Sequence, residues 1–84
     1  MSEKIYKKIN KLEVETNINI LYEENILSIY TNKESLQKQL NRLLGKPTKE
    51  YKIKRSIVGS SWDISLNDKT KITKMILKAN IFEL

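Results

Sequence analysis

Apolar and polar residues alternate most regularly between residues 12 and 23. Leu12, Val14, Thr16, Ile18, Ile20 and Tyr22 fall on one face, and Glu13, Glu15, Asn17, Asn19, Leu21 and Glu23 on the other. A period of two marks a half-buried strand, here one strand or two short ones meeting near Thr16-Asn17. The following "YEENILSIY" predicts a hairpin around Glu24-Asn25. A two-residue loop sets Tyr22 opposite Leu27, Ile20 opposite Ile29 and Ile18 opposite Thr31, and puts Tyr30 opposite Asn19 on the reverse face. Asn25 tolerates the positive φ of such a turn whereas Glu24 does not favour it, which leaves a longer loop open.

The period then changes. In "TNKESLQKQLNRLLGKP" the stripe Leu36, Leu40, Leu43 and Leu44 predicts an amphipathic helix facing the hairpin. Thr31 with Glu34 forms a candidate capping box, Asn32 offers a competing cap, and Gly45 followed by Pro47 supplies the stop. "YKIKRSIV" and "SWDISL" read as two strands separated at Gly59-Ser60, or as one bent strand with a bulge at the glycine. Tyr51, Ile53, Arg55 and Ile57 share one face there, and Lys52, Lys54, Ser56 and Val58 the other. Trp62 alternates in phase with Ile64 and Leu66, which assigns it to the core. Asn67 or Thr70 can cap a final helix running to about Ala79, with Ile72, Met75, Ile76 and Ala79 facing inward.

Before these elements, Ile5, Ile9 and Leu12 suit a short helix, and residues 3–11 are open to helix or strand. The first few residues are expected to be frayed or to belong to that helix. The expected fold is therefore α+β: a small antiparallel sheet of four, at most five, strands with two helices on one face, in the order β-β-α-β-β-α, forming a single domain over residues 1–84.

Composition narrows the chemistry. Cys and His are absent from the 84 residues, which removes zinc fingers, thiol redox chemistry and every nucleophile-base pair that needs either residue. No metal or cofactor is expected. The apolar runs are far shorter than the roughly 20 residues needed to span a bilayer, and no signal-peptide pattern opens the chain. A cytoplasmic protein without membrane partners is the expectation. Glu and Asp fall mostly on outward strand positions, caps and ends, without an acid-base pair, so an enzyme is not expected.

Charge adds the functional hint. The net charge is +6, yet residues 1–31 carry four basic against five acidic residues while residues 32–84 carry twelve against five. Such asymmetry favours a polyanionic partner. Lys46, Lys49, Lys52, Lys54 and Arg55 are candidate phosphate contacts. Lys52 and Lys54, two apart on a strand, project together, while Arg55 has the opposite parity. Lys71, Lys74 and Lys78 make a second basic stripe on the last helix. Tyr30, Tyr51 and Trp62 are the possible stacking rings, and Tyr30, on the face away from the helix stripe, is the best placed of them.

These residues point to a small, basic, non-enzymatic DNA- or RNA-binding accessory or regulatory protein. The same lysines also suit a sheet kept soluble by charge. In that case Leu21, Ile26 and Leu77, out of phase with their buried faces, mark a protein-interaction module, either a homodimer or an adaptor or inhibitor of a partner protein.

Overall fold

The structure, a computed structural model, describes residues 4–82. The predicted frayed or helical start therefore lies in part outside the described residues. Four strands, β1 (Thr16–Leu21), β2 (Ile26–Thr31), β3 (Lys49–Ile53) and β4 (Ser56–Ser65), form one antiparallel sheet in the order β1-β2-β4-β3. Helices α1 (Glu34–Leu44) and α2 (Lys69–Lys78) cover one face, giving the expected β-β-α-β-β-α order.

The core is built where the periods of two and 3.6 meet. Leu27 and Ile29 of β2 pair with Ile64 and Trp62 of β4. Leu36, Leu40 and Leu44 of α1 close over them together with Met75 of α2 and Ala79 just beyond it, and all are buried. Trp62 is thus a core residue, and its indole N–H donates to the Gly45 carbonyl at 3.0 Å. Gly45 ends α1 at φ 87, a backbone conformation that favours glycine. One polar bridge crosses this interior: Ser60 Oγ donates to buried Gln37 Oε1 at 2.7 Å.

Several local expectations change. Residues 5–12 form no α-helix. Tyr6 makes a single parallel bridge to Ile57, with Ile57 N–H donating to the Ile5 carbonyl at 2.7 Å and Lys7 N–H donating to the Ile57 carbonyl at 2.8 Å. A short 3₁₀ turn follows at Lys11–Glu13. The first hairpin uses a four-residue loop, residues 22–25, because only Asn25 then needs positive φ (58). Its register moves by two, so the faces survive but the partners change: Ile20 opposes Leu27, Ile18 opposes Ile29, and Tyr30 opposes Asn17 instead of Asn19.

The Thr31–Glu34 capping box does not form. Thr31, buried at the end of β2, shares a 2.9 Å hydrogen bond with Thr16 Oγ1 and accepts the Lys33 N–H, and Glu34 pairs with Lys38. Asn32 does not cap α1 either; its amide latches the approach to β1, accepting from Glu15 N–H and donating to the Glu13 carbonyl. Asp68, not Asn67 or Thr70, caps α2 by accepting the Lys71 N–H. Ile76, expected inside, is 55% exposed.

The second hairpin turns at Lys54-Arg55 with Lys54 at φ 56, and β4 runs unbroken through Gly59-Ser60. Its irregularity falls between Tyr51 and Lys52, where Val58 is the extra residue on β4. Gly59 serves a different need. A Cβ there would lie 2.6 Å from Tyr30 Oη and 2.8 Å from Tyr30 Cε1. Gly59→Ala is therefore expected to cost about 1–3 kcal/mol through forced displacement of the ring. In urea titrations most of that loss should vanish in the Tyr30→Ala background; equal losses in both backgrounds would place the cause elsewhere.

Candidate nucleic-acid interface

Helices cover one face of the sheet and leave the other open. Strand alternation and register bring Asn17, Tyr30, Ser61 and Lys49 into one row across that open face, with Tyr51, the β3 partner of Gly59, in the adjacent row. The Tyr30 and Tyr51 rings meet edge to face, 5.6 Å between centroids at 76°. Lys49 Nζ lies 5.9 Å from the Tyr51 centroid, within cation-π range.

Tyr30 occupies the face expected of it, but it is half-buried beneath its neighbours, whereas Tyr51 is 41% exposed. The pKa of the Tyr30 hydroxyl is raised, first by burial and then by the nearby Glu15 carboxylate and Tyr51. Tyr51 is therefore the more accessible platform of the pair. The order of the two expected rings is thus reversed, because strand alternation gives the face of Tyr30 but not the neighbours that cover it.

The other predicted cations divide among three places. Lys52 shares its parity with Glu50, which opposes Ser60 on the helix side, so Lys52 and Lys49 stand on opposite faces of β3. Lys54 and Arg55 form the turn instead of continuing the strand. Even so, Lys52, Lys54 and Arg55 line one cleft of about 400 Å³ together with Lys4, Ile5, Glu50 and Ile57. Glu50 is held there by Lys4 at 2.8 Å. The cleft thus sets four cationic side chains against one carboxylate, and that carboxylate is already paired.

Lys46 is exposed in the connection after α1 and does not line the cleft. Lys71, Lys74 and Lys78 are exposed on α2 and form the expected outer stripe, again apart from the cleft. The apolar candidates do not make one patch. Leu21 opposes Ile26 on the open sheet face, whereas Leu77 projects from α2 in the helical layer on the other side.

Among the described residues, no helix is long and apolar enough to cross a membrane, and no group of acidic side chains is arranged to hold a metal ion. What the surface offers is phosphate-sized cationic heads on both faces of one edge strand and a ring for stacking. Compared with protein-family models, curated proteins and solved structures, the chain matches none, so the chemistry of this surface is read from its own residues.

Proposed function

We propose that the chain is a small nucleic-acid-binding accessory or regulatory protein, without catalytic activity, that takes a flexible single strand along the β3 edge. The observation that carries this reading is the gathering of Lys52, Lys54 and Arg55 around one cleft, with Lys49 and exposed Tyr51 on the reverse face of the same strand. Phosphates are held by the cations as counterions leave, while a base stacks on Tyr51 and on the accessible part of Tyr30. Stacking tolerates every base, so little sequence preference is expected. The exposed stripe on α2 adds longer-range attraction.

Titration of labelled single-stranded and duplex DNA and RNA by fluorescence anisotropy at two salt concentrations tests this. Single strands are expected to bind more tightly than duplexes and to weaken steeply with salt. Absence of binding to every form at low salt would sink the proposal.

A further inference from the structure

The two edges of the sheet are built differently. β3 carries Lys49, Glu50 and Lys52 and an irregular register, devices that discourage pairing with another strand. β1, "TNINIL", contains no charged residue and no proline, and its pairing with β2 is regular throughout. The Asn32 N–H donates to the Glu15 carbonyl at 3.2 Å, so the backbone groups of this pair face each other across the gap between β1 and β2. Alternation from that pair turns the amides and carbonyls of Asn17, Asn19 and Leu21 toward β2 and those of Thr16, Ile18 and Ile20 outward.

The side chains beside those outward groups are also uncovered. Ile18 and Ile20 lie on the helix side of the sheet, opposite buried Ile29 and Leu27, but are 41% and 47% exposed. The core therefore continues one strand beyond the helices that cover it. At the Thr16 end a groove of about 650 Å³ prolongs the face, with Val14, Ile81 and Phe82 in its lining. An edge with free backbone groups beside uncovered isoleucines is a template for strand addition.

We propose that this edge binds a second copy of the chain, with β1 antiparallel to its counterpart about a two-fold axis. Backbone alternation and the isoleucine face require the same registers, those pairing even-numbered residues with even-numbered ones. An axis at Ile18 sets Ile18 against Ile18 and Thr16 against Ile20 of the second copy. It also places Glu15 opposite Leu21, whereas an axis at Asn19 would set Glu15 against Glu23. The positive charge that opposes contact between two such chains lies mostly elsewhere: β1 itself carries no charge, and twelve of the sixteen cations lie beyond residue 31. A β1–β1 pair joins two +6 chains away from their basic β3 edges, which become the two ends of an eight-stranded sheet. The pairing does not depend on nucleic-acid binding.

Sedimentation velocity over a range of micromolar to millimolar concentrations, combined with hydrogen exchange, is the test. The mass should rise from one chain to two and stop there, and exchange at the Ile18 and Ile20 amides should slow as the dimer forms. Ile18→Lys/Ile20→Lys should weaken association on the order of 100-fold while far-UV circular dichroism and buried-Trp62 emission stay unchanged. Ile18→Thr/Ile20→Thr, which keeps β-branched residues, serves should the lysine pair disturb folding. A folded wild type that remains one chain throughout overturns the proposal. So does a dimer undiminished in folded variants, or mass that grows without stopping at two, as open β1-to-β3 association would give.

Discussion

Trp62→Ala is expected to leave the chain largely unfolded at room temperature. The indole is 2% exposed, packs among residues of both helices and the β2–β4 pair, and ties the Gly45 carbonyl at the end of α1. Truncating a buried Trp costs about 3–5 kcal/mol. The orphaned carbonyl adds to that loss. Domains this small sit near the lower end of the usual stability range of about 5–15 kcal/mol. Urea unfolding followed by far-UV circular dichroism checks it, since the variant has no Trp fluorescence. Trp62→Phe should lose less, keeping most of the ring burial but not the bond to Gly45. Retention of a cooperative transition within about 1 kcal/mol of the parent would contradict the central position assigned to Trp62.

The second large effect belongs to the β3 edge. Lys52→Glu/Lys54→Glu/Arg55→Glu should weaken single-strand binding by about 100-fold or more at low salt and make the salt dependence shallower by about two units of logarithmic slope. Lys71→Glu/Lys74→Glu/Lys78→Glu provides the comparison, because it changes the net charge equally on another element. If β3 holds the phosphates, the α2 reversal should shift affinity less and leave most of the slope intact. Equal losses in both variants would indicate attraction to overall charge alone. Urea unfolding of both variants separates binding loss from loss of fold. The exposure of all six side chains predicts little change there.

The element order was legible because each buried stripe kept its own period. Leu36, Leu40 and Leu44 repeat as a helix, and Trp62 alternates with Ile64, so both reached the core as expected. Alternation identifies a face, however, and not what covers it. Ile18 and Ile20 show the same pattern as Leu27 and Ile29, yet the helices reach only the latter pair. Turn position was harder because Gly59 attracted the break while the chain turned at Lys54, which adopts positive φ without being Gly or Asn. Gly59 answers to the Tyr30 ring, a contact between strands that no local pattern displays.

The candidate site was legible as a segment and illegible as a surface. Moving the turn to Lys54-Arg55 divides the basic run: Lys49 accompanies Tyr51 on the open face, while Lys52, Lys54 and Arg55 meet Lys4 and Glu50 in the cleft. Lys4 lies far away in sequence and joins only because the Tyr6–Ile57 bridge brings the N-terminal segment alongside β4. Three-dimensional proximity made by a single bridge leaves no periodic trace. Tyr51 likewise gains importance only once Tyr30 is seen to be partly covered.

The most direct test of phosphate binding at the β3 edge is the affinity of a labelled single strand across a salt series, for the parent and the β3 charge-reversal variant. Contacts from Lys49, Lys52, Lys54 and Arg55 predict a logarithmic slope of about −3 for the parent, at about −0.7 per phosphate for single strands. The reversal variant should show weak binding with a slope of about −1, the contact of Lys49 alone. A parent that binds no oligonucleotide at low salt, or a folded reversal variant that binds with the parent's affinity and slope, would contradict the account.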